Sequence, residues 1–232
     1  MTPVSGSIAF VLHARPYRES SLLLELLTAT EGRTGAILRG ARSQRPPLFS
    51  PLEVTFRGRG QLPTLTGWDD LGGVSLTGNR AVCGLYINEL AVRLLPRHIP
   101  QPAFLAVYAA TLSALGDPDQ ALEPVLRRYE LALLNLLGEG LEYVVVEDLE
   151  PQQLYRVDSL SGVRQADIHD TPSSPRTIQG EALVALLTDR LVAPAHQRQA
   201  KRLLRGLLEQ HLDGKPIVSR QLFARGRPDM SS

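Results

Sequence analysis

The chain has 232 residues, 43% of them hydrophobic, and a formal net charge of +1, values typical of an ordinary globular protein and not of a disordered chain. Its one cysteine, Cys83, excludes an intramolecular disulfide and an all-cysteine metal site, and it fits a reducing compartment. The longest stretch free of charged residues, 98–116, holds fewer apolar residues than the about 20 that a membrane span needs, and no signal peptide is recognisable.

The small net charge conceals three patches of opposite sign. Residues 32–60 contain six arginines and one glutamate, a local charge of +5, and residues 196–228 contain eight lysines and arginines against two acids, a local charge of +6. Residues 139–158 contain six acids and one arginine, a local charge of −5. Because the local patch decides whether a polyanion is attracted, the two basic segments are candidate nucleic-acid surfaces.

Residues 1–78 are predicted to form β-structure, because short apolar runs are separated by turn-forming glycine and proline. Five short strands favour a small barrel, closed or partly open. The run SLLLELLT would also suit a helix, but the strands predicted on either side of it favour β. The expected strands are Ser7–Leu12, Ser20–Thr28, Arg33–Arg39, Leu52–Arg57 and Gln61–Trp68.

The composition changes near residue 79, and residues 79–232 are predicted to form a mainly α-helical domain, which makes the chain α+β. A small acidic insertion, 141–176, interrupts the helical pattern, and strands are expected in it at Tyr143–Val146 and Leu154–Val157. Cys83 falls on the apolar face of the first helix, which favours a packing role. Helices are expected at 80–95, 102–115, about 119–124 to 137, 179–191 and 194–214.

Four arginines lie in the third predicted strand and the segment that follows it: Arg33, Arg39, Arg42 and Arg45. The segment after this strand is polar and contains Gly40, so it is predicted to be a surface loop. Guanidinium groups on such a loop can bind phosphates, because the guanidinium is a forked donor and glycine lets the backbone approach a ligand closely. The alternative is a solvated turn whose arginines face water.

Two helices carry patterns that suggest binding surfaces. The third helix has a second stripe, Arg127, Leu131 and Leu134, that could receive a short acidic and apolar peptide; the alternative is that another segment of the chain covers it. The last long helix is amphipathic and places four cations on one side, which suit either an anion-binding ridge or a solvated face. These cations are Arg198, Lys201, Arg202 and Arg205.

Catalytic and metal-binding patterns are missing from the sequence. None of the five histidines lies three to five residues from another, and the sequence has no nucleophile elbow, phosphate-binding P-loop or dinucleotide-binding glycine motif. We therefore expect no enzyme activity, no catalytic residue, no cofactor and no metal.

Six blocks of the sequence, in order, resemble the RecO family of bacterial recombination mediator and DNA repair proteins. The resemblance spans nearly the whole chain and is weakest over 98–118 and 141–176. The blocks are AFVLHARPYRESSLLLELLT (9–28), GRTGAILRGARSQR (32–45), GLYINEL (84–90), LRRYELALLNLLG (126–138), AKRLLRGLL (200–208) and GKPIVSRQLF (214–223).

The resemblance implies an N-terminal OB-fold barrel over residues 1–78 and a helical domain over residues 79–232. It further implies binding of single- and double-stranded DNA without sequence preference, annealing of complementary strands, and help in loading recombinase in the RecF pathway. The implied partners are DNA, the acidic C-terminal tail of single-stranded DNA-binding protein, and RecR, in the cytoplasm at the nucleoid. Some members carry a four-cysteine zinc lobe, but residues 141–176 contain no cysteine, so zinc is not expected.

Under this resemblance the DNA-binding candidates include Arg15, Tyr17 and Arg18, which are predicted to lie in the first loop of the barrel, and Tyr17 could stack on a base. The basic loop and the cations of the last long helix are the other DNA candidates, and the Arg127 stripe is the candidate for the partner's tail. Two other classes stay open: an RNA-binding or ribosome-associated OB-fold protein, and an interaction scaffold whose arginines bind acidic proteins.

Overall fold

The computed structural model describes residues 4–40, 44–58, 60, 62–139, 141–158 and 161–225, and leaves the side chains of residues 4, 5 and 223–225 undescribed. The chain divides into two compact units. The first contains residues up to Pro118 together with those from Ile217 onward, and the second contains Asp119–Pro216. Among the described residues, no helix has the length and apolar character needed to cross a bilayer.

Five strands close into a barrel at the start of the chain, which confirms the predicted N-terminal barrel. They are β1 (Val4–Tyr17), β2 (Ser21–Thr28), β3 (Gly32–Leu38), β4 (Leu52–Arg57) and β5 (Thr64–Asp70), and their order around the barrel is β1-β2-β3-β5-β4. Neighbouring strands are antiparallel except for β3 and β5, which are parallel.

The ambiguous leucine-rich run is strand β2. Leu22, Leu24 and Leu26 are at most 5% exposed and belong to the barrel core, whereas Leu23 and Glu25 between them are only half-buried. This period of two belongs to a strand with one face on the core. The pairing of β2 with β1 and β3 on both edges decides between strand and helix.

Helices α1 (Gly78–Leu94) and α2 (Pro102–Gly116) belong to the same compact unit as the barrel. The side-chain amide of Asn88 donates to the carbonyl oxygens of Val11 and Leu12, and the buried Tyr108 hydroxyl donates to Asn88 at 2.7 Å. The Tyr108 ring also contacts Phe10 edge-on. Residue 78 therefore marks a change of secondary structure, while the contacts group α1 and α2 with the barrel; a domain boundary at 78 stays a prediction.

The described part of the second unit contains three α-helices and a small sheet. Helices α3 (Leu122–Leu136), α4 (Gly180–Leu187) and α5 (Pro194–His211) bury the leucines of their apolar faces. Strands β6 (Leu154–Asp158), β7 (Gly162–Gln165) and β8 (Thr177–Gln179) form an antiparallel sheet in the order β7-β6-β8. The final described helix, α6 (Ser219–Arg225), belongs to the first unit and was not anticipated from the sequence.

The prediction of a strand at Tyr143–Val146 is wrong. These residues contribute to two short 3-10 helices, Leu141–Tyr143 and Val146–Asp148. Strand β6 is the central strand of this sheet, with β7 on one edge and β8 on the other, and the segment pairs with none of the three strands. The apolar residues that suggested a strand instead face solvent, with Tyr143 82% and Val145 55% exposed.

Ion pairs hold together the loop-rich part of the insertion. Asp170 has a side chain that is 4% exposed, and it accepts hydrogen bonds from Arg156, from Arg164 and from the backbone N–H of Asp167. The Asp167 N–H lowers the pKa of Asp170 most; burial partly opposes this effect, and Arg156 and Arg164 lower the pKa further. The hairpin β6–β7 is thereby tied to the turn that follows it.

Candidate nucleic-acid interface

A cationic cleft of about 590 Å³ lies where β3 ends beside β5. The parallel pairing of Leu38 with Leu65 brings the segment after β3 next to the outer half of β5. We call this the barrel cleft, and it is lined by Leu38, Arg39, Gly40, Gln44, Arg45, Thr66, Gly67 and Trp68.

Two of the predicted DNA-binding residues, Arg39 and Arg45, meet in the barrel cleft. Both are exposed, and within the described part of the chain neither forms a hydrogen bond or an ion pair. An unpaired guanidinium at a surface can bind an anion without first breaking an internal contact. Arg42, the third arginine of the predicted loop, lies outside the described residues.

Trp68 lines the barrel cleft and was missed in the sequence analysis. It lies opposite the buried Val54 on β4 and packs partly against the barrel core, so the ring is anchored on one side. The sequence did offer a signal for it, because Trp68 is the only tryptophan and lies at the end of a strand predicted to belong to the barrel. Aromatic rings beside cations are the combination that single-stranded nucleic acids bind through base stacking.

The hairpin that joins β1 and β2 lies beside the end of β3. Leu22 pairs with Pro16 of β1 on one side and with Leu38 of β3 on the other. Arg15 and Arg18 are exposed, and the Arg18 guanidinium lies 5.3 Å from the centre of the Tyr17 ring. The register thus places these two cations at the same end of the barrel as Arg39.

The expectation that residues 15–17 form a loop is wrong. Strand β1 continues to Tyr17, and only residues 18–20 form the turn. Tyr17 is half-buried, and its ring is already in contact with Arg18. A base that stacks on Tyr17 would have to share or displace this cation–π contact.

Arg33 does not belong to an exposed phosphate-binding surface, which corrects its prediction as a DNA-binding residue. Its side chain is 13% exposed, donates to the carbonyl oxygen of Val92 in α1, and lies 3.7 Å from the carboxylate of Glu25. Burial lowers the pKa of Arg33, Arg97 lowers it further, and Glu25 opposes both. Arg33 instead ties the barrel to α1 within the first unit.

The four predicted cations of α5 do share one surface. They line a cavity of about 370 Å³ that also includes Pro175, Gly206 and Glu209; the four are Arg198, Lys201, Arg202 and Arg205.

These four cations differ in how far they are free to bind an anion. Arg198 is exposed and has no partner among the described residues, whereas Lys201 pairs with Glu123 of α3. Arg202 donates to the carbonyl oxygens of Pro172, Ser174 and Thr177. Much of the mutual repulsion on this face is therefore offset by internal contacts, and Arg198 is the most accessible cation.

The stripe of Arg127, Leu131 and Leu134 is not a surface groove, which corrects its prediction as a peptide-binding site. Arg127 is 1% exposed and Leu134 is 0% exposed, while Leu131 is half-buried. The Arg127 guanidinium lies 2.9 Å from the carboxylate of Glu130, which is also buried. The alternative that other segments cover this face of α3 is the correct one.

No group of three histidine, cysteine or carboxylate side chains in the described ranges could hold a metal ion. Cys83 is 1% exposed on α1, which confirms its predicted packing role.

Two family models match the chain in succession. The model described as Recombination protein O N terminal matches residues 2–73, and the model described as Recombination protein O C terminal matches residues 76–221. The first match covers the barrel, and the second begins just before α1 and extends into α6.

Individual relatives are similar over almost their full lengths. The DNA repair protein RecO of Pseudomonas paraeruginosa strain PA7 is 41% identical over 230 residues, which are 96% of each chain. The DNA repair protein RecO of Pseudomonas aeruginosa strain LESB58 is 40% identical with the same coverage. That of Aliivibrio salmonicida is 37% identical over 225 residues, which are 92% of this chain and 93% of the relative. The chain belongs to the RecO family of DNA repair and recombination proteins.

Proposed function

We propose that this protein binds DNA strands through the barrel cleft and anneals complementary strands during recombinational repair. The observation that carries the proposal is the meeting of two exposed arginines, Arg39 and Arg45, with Trp68 in one cleft, where neither arginine has a partner among the described residues. In this proposal the protein binds both single- and double-stranded DNA without sequence preference, and it catalyses no reaction.

The cations provide the affinity in this proposal. Arg15, Arg18, Arg39 and Arg45 lie at one end of the barrel and are all exposed. If each neutralises one phosphate of a single strand, the logarithm of the affinity falls with the logarithm of salt concentration with a slope of about −3. Contacts with phosphates leave the bases unread, which explains a lack of sequence preference.

Trp68 gives the barrel cleft a preference for unpaired strands. A base can stack on an aromatic side chain only when it is not stacked within a duplex, and such stacking contributes about 1–3 kcal/mol per base. Duplex DNA would bind through its phosphates alone. The cations of α5, with Arg198 the most accessible, provide a second surface for phosphates.

Annealing requires two polyanions to be held close together with their bases free to pair. Arginines on two surfaces neutralise phosphates and reduce the repulsion between the strands, and no covalent step is needed. This proposal includes help in loading recombinase on strands coated by single-stranded DNA-binding protein, in the RecF pathway, in the cytoplasm at the nucleoid.

We further propose that the partners include RecR and the acidic tail of single-stranded DNA-binding protein. The buried Arg127 stripe cannot receive that tail in the conformation described above. The cavity on α5 is the better candidate, because it combines accessible Arg198 with the apolar ring of Pro175. Tail peptide and duplex DNA would then compete for α5.

Tryptophan fluorescence tests the central proposal, because Trp68 is the only tryptophan. Oligo(dT) titrated at low salt should quench the fluorescence, and a duplex of equal length should bind with much less quenching. The variant Arg39→Glu/Arg45→Glu should lose at least about tenfold in affinity for oligo(dT), since two attractive contacts become repulsive.

The matched control is Arg190→Glu, another exposed arginine with no described partner and no place in either cavity. It should retain most of the parental affinity. Equal binding of oligo(dT) by the folded double variant and the parent would exclude the barrel cleft as the site. Tighter binding and stronger quenching with structured RNA than with DNA would favour an RNA-binding function instead.

A further inference from the structure

The second unit contains a cleft that has no role in the proposed DNA binding. It has a volume of about 490 Å³ and lies between the two short 3-10 helices and the β6–β7 hairpin. We call it the acidic cleft, and it is lined by Tyr143, Val144, Val145, Asp148, Leu149, Tyr155, Gly162, Val163, Arg164 and Gln165.

The acidic cleft exposes apolar side chains that the fold does not need on its surface. Tyr143 is 82% exposed and Val145 is 55% exposed, although both line the cleft. Tyr155 forms the floor of the cleft. It is held in place, because it is 5% exposed and its hydroxyl accepts a hydrogen bond from the backbone N–H of Glu150 at 2.8 Å. Exposed apolar groups that gather around one concave site are typical of docking surfaces, whereas single ones are common everywhere.

The charge around the acidic cleft is negative and is not neutralised from within. Asp148 lines the cleft, and Glu142, Glu147 and Glu150 each lie next in sequence to a lining residue. All four are exposed, and in the described part of the chain their carboxylates have no hydrogen-bonding or ionic partner. The one cation in the lining, Arg164, already pairs with Asp167 and Asp170. The field of the cleft therefore repels phosphates and attracts cations.

We propose that the acidic cleft docks a partner protein through a segment that carries an apolar side chain flanked by lysine or arginine. The apolar side chain packs against Tyr143 and Val145, and the flanking cations meet the four carboxylates. This pairing of a buried apolar anchor with complementary charges at the rim is the usual anatomy of a peptide site. Nucleic acid is excluded by the same carboxylates.

The probe for this proposal is a fluorescein-labelled heptapeptide with a central leucine, a glycine on each side of it and two lysines at each end. Its anisotropy should rise on titration with the full-length protein at low salt, and binding should weaken with added salt. Replacing the central leucine by alanine should weaken binding by at least about threefold, since apolar contact area is lost. Equal binding of the two peptides would reduce the interaction to general charge attraction and overturn the proposal.

Variants of the protein locate the site. The variant Tyr143→Ser/Val145→Ser removes the apolar contacts, and the variant Glu147→Lys/Asp148→Lys reverses the charge at the rim. Each should lower the affinity for the leucine peptide by at least about tenfold. The matched controls are Ile168→Ser, an apolar side chain that is 94% exposed outside the cleft, and Asp69→Lys/Asp70→Lys, two adjacent exposed acids on the barrel. Both controls should bind like the parent.

Two further outcomes would contradict the proposal. Equal peptide affinity for the parent and for the two cleft variants would show that the peptide binds elsewhere. Concentration-dependent self-association in sedimentation experiments, abolished by Glu147→Lys/Asp148→Lys, would assign the acidic cleft to a second copy of this chain instead of a different protein. The altered side chains are exposed, so the variants should fold like the parent, and circular dichroism checks this.

Discussion

The buried pair of Arg127 and Glu130 on α3 allows a test of whether Arg127 supports the fold or binds a partner. The two side chains are 2% and 0% exposed, and they lie three residues apart on one helix at 2.9 Å. The variant Arg127→Met removes the cation and leaves the Glu130 carboxylate buried without it. Breaking a buried pair in this way costs about 3–5 kcal/mol of unfolding free energy.

The expected loss is large enough to measure by urea denaturation. With an m-value of about 1–3 kcal/mol/M for a small unit, a loss of this size lowers the unfolding midpoint by roughly 2 M. The double variant Arg127→Met/Glu130→Leu removes both charges of the pair, and it should recover most of the stability, because neither member of the pair is then left buried without the other.

The neighbouring residue provides the control. Arg128 is 49% exposed and pairs with the exposed Asp189 at 2.9 Å, so Arg128→Met should cost at most about 1 kcal/mol. If Arg127→Met changed stability no more than Arg128→Met does, or if the double variant were as unstable as the single one, the burial argument for Arg127 would be refuted.

Two further predictions concern stability. Asp170→Asn should lower the stability of the insertion at neutral pH, and it should make the free energy of unfolding less dependent on pH in acid. The pKa of Asp170 is lowered in the folded state, so the stabilisation that its carboxylate provides is complete above the unfolded pKa of about 4 and is lost as the pH falls through the folded pKa. Urea midpoints of the parent and the variant between pH 7 and pH 2 measure this difference. A variant midpoint that lies below the parental one by the same amount at every pH would contradict the prediction. Gly32→Ala should destabilise the first unit by more than about 1 kcal/mol, because Gly32 has a φ of +64° and an added Cβ would lie 2.0 Å from the carbonyl oxygen of Ile99. Thermal unfolding measures this loss, and the exposed Gly40, whose φ is +67° with open space around it, is the control for backbone strain alone.

The barrel follows from local features of the sequence. Alternation of apolar residues in β1, β2 and β4, with glycine and proline between the strands, predicts five strands at close to their observed positions. The helical repeats after residue 79 are equally local, so α1, α2, α3 and α5 are found within a few residues of the predicted bounds. The segment 143–146 failed because its apolar residues have the composition of a strand but no partner strand.

The candidate sites could be predicted from the sequence much less well than the barrel strands and helices, because the fold decides which side chains are exposed and which are paired. Arg33, Arg39 and Arg127 are the same residue type in similarly basic or amphipathic segments, yet only Arg39 is exposed and without a described partner. The partner of Arg33, the Val92 carbonyl, lies 59 positions away in sequence, and no local pattern predicts such a contact. Trp68 joins the barrel cleft because β3 and β5 pair in parallel, which the order of strands along the chain does not reveal.

The sequence by itself therefore determined the barrel strands, the long helices and where charge accumulates, because periodicity and local charge depend on neighbours along the chain. The tertiary structure alone decided which guanidinium groups remain available to a ligand. That outcome depends on burial and on partners brought together by folding, and the same side chain serves as an internal tie or as an anion-binding group according to what packs against it.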